Sequence, residues 1–166
     1  MLPNGFTTND IYKLLEEIPD PEIPVISVVE LGIVRDVVVD GKNVTIKITP
    51  TYSGCPAMHQ MEKDIRSSLK HHGVENITVE TIYSPAWTTD WMNAEALEKL
   101  RVYGIAPPGK TTSDKGVLLF GGAKVVACPR CKSTHTEMVS QFGSTACKAL
   151  YKCNDCKEPF DYFKCI

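Results

Sequence analysis

The chain has 166 residues, 43% hydrophobic and 23% charged, which are ordinary globular values for one or two domains. No segment approaches the roughly 20 apolar residues that span a bilayer. Its 18 Lys and Arg against 20 Asp and Glu leave a net charge of −2, too balanced to predict binding to nucleic acid or to a membrane.

The distribution is more telling than the totals. Residues 1–122 carry 11 basic and 16 acidic side chains, and residues 123–166 carry 7 and 4. One cysteine of seven precedes residue 128, and the other six crowd into 128–165. Two units are therefore expected, an α/β domain over 1–106 and a cysteine-rich module over 123–166. The polar, Pro/Gly-rich stretch 107–122 reads as the linker. "MLPNGFTTND" has neither a basic n-region nor an apolar h-region, so a cytoplasmic protein is the default expectation. Thiols stay reduced there, and dense cysteines point to metal or redox work rather than disulfides.

In chain order, Ile11, Leu14, Leu15 and Ile18 predict a short helix over 8–18, capped by Thr8 or Asn9 and stopped by Pro19 and Pro21. "DPEIP" (20–24) is then a rigid loop bearing Asp20 and Glu22. "IVRDVVV" and "NVTIKIT", separated by an Asp-Gly step, predict a hairpin over 33–49 with Val44, Ile46 and Ile48 on one face. A helix over 56–72 follows, with Pro56 at its first position, Gly73 beyond its end, and Ala57, Met61, Ile65 and Leu69 as its core stripe. "NITVETIY" (76–83) completes a strand–helix–strand unit whose strands should run parallel. A last helix over 90–103 is expected to bury Ala94, Leu97 and Leu100. The fold class is thus α+β or α/β, a three-stranded mixed sheet with flanking helices, followed by a cysteine ribbon.

"CPRC" (128–131) and "CNDC" (153–156) lie 21 residues apart. Two such knuckles, Cys128/Cys131 and Cys153/Cys156, supply four thiolates for one tetrahedral Zn²⁺. Four thiolates leave no open position, so the ion folds a module too small to fold by itself. Iron in a rubredoxin-like site is the rival, because thiolates accept both metals. "KVVAC", "ALYKC" and "EPFDYFKC" are the expected ribbon strands, with Phe160 and Phe163 in the small core. Cys147 and Cys165 remain as additional thiols.

"TYSGCPAM" places Cys55 at the start of the second helix. There the exposed N–H groups and the positive end of the helix dipole favour thiolate, and His59, one turn on, shares its face. Three readings stay open: a half-buried cysteine at a helix start, an iron or cluster ligand with Asp20 and Glu22 beside it, or a nucleophile paired with His59. The last has no third group to orient the imidazole. "SPAWTTDWM" holds both tryptophans, which either pack the last helix or face a partner.

"DPEIPVISVVELGIV", followed by a hairpin and an "SGCP" loop opening a helix, resembles the SufT-type domain of iron–sulfur assembly proteins over residues 7–105. The C-terminal "SQFGSTACKALYKCNDCKEPFDYFKCI" resembles the tail of the PaaD (PaaJ) family, accessory proteins of phenylacetyl-CoA oxygenase systems. The resemblance implies that Cys55 is the essential residue and that Asp20, Glu22 and Gly32 belong to the signature loop. It implies an accessory factor in aerobic phenylacetate degradation, with no turnover of its own, that assembles or delivers a transient iron–sulfur cluster or iron. Implied partners are the oxygenase subunits, above all a [2Fe–2S] reductase, and the iron–sulfur assembly machinery. A docking subunit without metal transfer and a rubredoxin-like electron carrier are the alternatives. A homodimer pairing two Cys55 residues stays open.

Overall fold

The computed structural model describes residues 5–109 and 125–164. The chain divides between Met92 and Asn93 into two compact units. Most of the expected linker, and Cys165, lie outside the described residues.

The first unit opens with α1 (Thr8–Glu16). Thr7 caps it: its Oγ1 accepts from Asp10 N–H at 3.2 Å while the Asp10 carboxylate accepts from Thr7 N–H at 3.0 Å. The cap thus sits one residue before the expected Thr8, because only Thr7 has a carboxylate three residues on to answer it. Ile11 and Leu15 are fully buried. β1 (Val34–Asp40) and β2 (Asn43–Ile48) form the antiparallel hairpin, with a bulge between Val34 and Asp36. α2 (Ala57–His71) buries Ala57, Met61, Ile65 and Leu69, as its spacing predicts. β3 (Asn76–Thr81) then returns parallel to β2, giving a mixed sheet of order β1–β2–β3. Val44, Ile46 and Ile48 form the buried face of the central strand.

Residues 17–33 form a compact loop whose Ile23, Ile26, Val28, Leu31 and Ile33 are all buried. Gly32 anchors it at φ +77°, where a Cβ would lie 2.8 Å from the Cβ of Trp91. Trp87 Nε1 donates to Leu31 O at 2.9 Å, and the Arg35 guanidinium lies 3.4 Å over the Trp91 ring. Both tryptophans therefore pin the carboxylate-bearing loop.

The second unit begins with α3 (Ala94–Tyr103), capped by Asn93 and ended by Gly104 at φ +97°. Ala96 and Leu100 are its buried residues, whereas Ala94 is exposed and Leu97 only half-buried. The helix starts four residues later than position 90, after a 3₁₀ turn at Thr89–Trp91, so Ala94 is its first residue, and its inward line runs through Ala96 and Leu100, one turn apart. β4 (Ile105–Ala106), β5 (Thr136–Ser140), β6 (Lys148–Cys153) and β7 (Pro159–Phe163) form a sheet of order β4–β7–β6–β5. β4 is parallel to β7 and the other pairs are antiparallel. "ALYKC" and "EPFDYFKC" supply strands as expected, but residues 125–128 do not. Val126 is buried without joining the ladder, and its carbonyl accepts from Thr136 Oγ1 at 2.6 Å. Its place in the sheet is taken by β5. Tyr151 stacks on Phe160 and meets Tyr162 edge-on, so aromatic contacts fill this small core.

Candidate functional site

Two constellations carry chemistry, one in each unit. In the second, the knuckles fold alike. Cys128 N–H donates to Ser133 O at 2.8 Å, and Cys153 N–H donates to Glu158 O at 3.0 Å. The residue four past the first cysteine of each knuckle, Lys132 and Lys157, has a left-handed φ, 62° and 65° respectively. Backbone N–H groups on both sides of that step meet sulfur. Ser133 N–H reaches Cys131, those of Asp155 and Cys156 reach Cys153, and that of Glu158 reaches Cys156.

The four Sγ atoms all lie within 4.8 Å of one another, with Cys128–Cys156 at 3.8 Å and Cys131–Cys153 at 3.5 Å. A tetrahedron with Zn–S bonds of about 2.3 Å has edges of about 3.8 Å, so the donor set fits zinc. The protons are shared unevenly among these thiols. The N–H of Cys156, with that of Asp155, draws Cys153 down to about 7. At Cys156 the Glu158 N–H pulls the other way but is outweighed, and burial with the neighbouring cysteines drives it up to about 12. An ion in the centre replaces those protons. His135 is not part of the set, since its Nδ1 faces Asp155 Oδ1 at 3.1 Å. Asp155 is also bonded by Ser133 Oγ, so an exposed polar clasp ties the two knuckles together outside the sulfur shell.

Cys147 is buried apart from these four, with Thr145 Oγ1 3.0 Å from its sulfur. Lys148 beside it is buried and faces Asp161 at 3.8 Å.

In the first unit, Cys55 is half-buried in the loop that leads into α2. Pro56 is the N-cap and makes no side-chain cap, so Ala57 N–H finds the Cys55 sulfur instead. The Tyr52 side chain also hydrogen-bonds to that sulfur. Both favour thiolate, as expected of a helix start. Burial nonetheless outweighs them, and the negative charges of Glu22 and Asp20 add to it, so the Cys55 pKa is raised rather than lowered. The expected thiolate preference is thus reversed by desolvation. Through those charges the "DPEIP" loop acts on the cysteine.

Asp20 is 5% exposed and is no solvated turn residue. Its Oδ1 accepts from Glu22 N–H and Ile23 N–H, both at 2.8 Å, which shapes the loop that carries Glu22. His59 stands apart on the exposed face of α2 with Glu62, Lys63 and Arg66. Tyr52 is the site residue that the sequence argument overlooks. Its position three before Cys55, across a Ser-Gly turn, is the signal that was there to read.

Comparison with known proteins sorts these two constellations. Residues 8–82 match the family described as iron-sulfur cluster assembly protein, and residues 112–164 match the PaaD zinc beta ribbon domain. A protein of Escherichia coli K12, named as a component of 1,2-phenylacetyl-CoA epoxidase, is 49% identical over 158 residues, 95% of this chain and 93% of that one. The chain belongs to the PaaD family. An Fe-S protein maturation auxiliary factor of Porphyromonas gingivalis is 34% identical over 57% of this chain and 90% of its own length. A crystal structure from Bacillus anthracis, titled as a domain of unknown function DUF59, superposes with a TM-score of 0.51 at 34% identity, covering 54% of this chain and 86% of that one. Cys55, Asp20 and Glu22 of this PaaD-family chain all fall within the assembly-type part, and the four knuckle cysteines within the ribbon. No helix among the described residues is long and apolar enough to cross a membrane.

Proposed function

We propose that this chain is an accessory maturation factor for a phenylacetyl-CoA epoxidase system. It assembles or hands on an iron–sulfur cluster, or iron, to an apo subunit, and the [2Fe–2S] reductase is its client. The observation that supports this most is the electrostatic influence of Asp20 and Glu22 on Cys55 in the domain of iron–sulfur assembly type.

One thiol and two carboxylates are too few to hold a cluster permanently. A short ligand set suits cargo in transit, with the client supplying the remaining ligands. Cys55 binds iron by giving up its proton, and the neighbouring carboxylates offer hard oxygen ligands or a place for that proton. Asp20 also positions Glu22 through the two amides it holds. The ribbon is a structural zinc module that docks the chain on the epoxidase components.

The test is the cluster content of the reductase made in cells that carry Cys55→Ala. The variant is expected to fold and keep its zinc, while the reductase accumulates without iron and sulfide. A reductase fully loaded in that background removes the transfer role and leaves a docking subunit.

A further inference from the structure

The first unit is acidic: residues 1–92 hold 7 Lys and Arg against 13 Asp and Glu. Several of its cations are engaged. Lys42 pairs with Glu75 at 3.0 Å, Lys47 with Asp36 at 3.0 Å, and Arg35 lies on Trp91. Lys63 and Lys70, without an ion-pair partner among the described residues, lie instead on one face of α2. At 3.6 residues per turn, His59, Lys63, Arg66 and Lys70 fall within an arc of about 60°, opposite the core stripe. They line a shallow surface groove together with Glu62 and Ser67.

Arg66 is held in place there by Glu62 Oε1 at 3.0 Å and by the Ile77 carbonyl of β3 at 2.6 Å. Lys63 and Lys70 are exposed and have no ion-pair partner among the described residues. The stripe begins one turn after Cys55 and runs about 17 Å along the helix at ~1.5 Å per residue.

We propose that this face of α2 docks a carboxylate-rich protein surface of the component that receives the cargo, so that the acceptor site comes to lie over Cys55. This rests on the transfer reading above and adds the chemistry of the partner to it. Two unneutralised lysines on a unit that is otherwise acidic give that unit a directional field, and an acidic partner is steered onto one face rather than repelled from all. A salt-dependent association is the expected signature, since exposed charges are screened over about 10 Å at 0.1 M salt.

The experiment measures binding of the zinc-loaded full chain to each purified component of the epoxidase system, reductase included, at low and at high NaCl. Wild type, Lys63→Glu/Lys70→Glu and Cys55→Ala are compared. The expected result is salt-dependent binding to at least one component, weakened about tenfold or more at low salt in the charge-reversed chain. Rescue of the reversed chain by a Glu→Lys change on that component's surface would support the pairing directly. Equal affinity of wild type and reversed chain overturns the docking face and leaves the Cys55 role standing. Absence of wild-type binding to every component overturns it too. Displacement of the partner by free coenzyme A would assign the stripe to a small phosphate-bearing ligand and overturn it likewise. Normal docking with a client that Cys55→Ala still loads keeps the face and removes the Cys55 role.

Discussion

Removing the Asp20 carboxylate should cost stability as well as function. Its Oδ1 satisfies two backbone N–H groups, those of Glu22 and Ile23, in a residue that is only 5% exposed to water. Asp20→Ala leaves both donors without that acceptor. A stranded buried donor costs roughly 1–3 kcal/mol, so the pair should cost about 2–4 kcal/mol after partial relaxation. Asp20→Asn keeps an oxygen in the same place and loses only the charge, so it should cost about 1 kcal/mol or less. In a unit of this size 1 kcal/mol moves the midpoint by about 4–8 °C. Circular dichroism melts of the zinc-loaded chain should therefore show the Asp20→Ala transition of the first unit falling by about 10 °C or more, with Asp20→Asn close to wild type. An Asp20→Ala midpoint within about 2 °C of wild type would refute the reasoning. The carboxylate would then be a site ligand without a structural duty.

Three further outcomes follow from the same structure. Gly32→Ala forces a side chain into a left-handed backbone and against Trp91, and should destabilise the first unit by about 2–4 kcal/mol in urea unfolding. Cys131→Ser should lower zinc per chain and unfold the second unit at temperatures where wild type is folded, with 4-(2-pyridylazo)resorcinol release as the readout. Burial and the charges of Glu22 and Asp20 raise the Cys55 pKa, so its iodoacetamide labelling should climb at higher pH than that of a free cysteine. Glu22→Gln removes a repelling charge and should move that profile to lower pH. An unchanged or upward-shifted profile would contradict the placement of Glu22.

Much of this site is legible without coordinates because its determinants are local. Knuckle spacing alone brings four sulfurs to one point, and the α2 stripe follows from helical period. The prolines around Asp20 announce a rigid loop. What the sequence hides is set by tertiary context. A cysteine at a helix start reads as a thiolate until its burial is known, and burial is a property of the packed loop. The two-residue strand β4 is too short for any alternation to show, so the affiliation of α3 and β4 with the second unit could not be read. β5 is mostly exposed, which removes the apolar pattern that would have marked "TEMVS" as a strand.

The central claim is that Cys55 carries iron or a cluster while the ribbon carries zinc. Zinc, iron and labile sulfide per chain, measured after anaerobic purification of wild type beside Cys55→Ala, test it most directly. The account predicts one zinc in both proteins, with iron and sulfide well below one cluster per chain, as befits cargo in transit, and only in the wild type. Equal iron and sulfide in the two proteins, or iron in place of zinc in the ribbon of both, would contradict it.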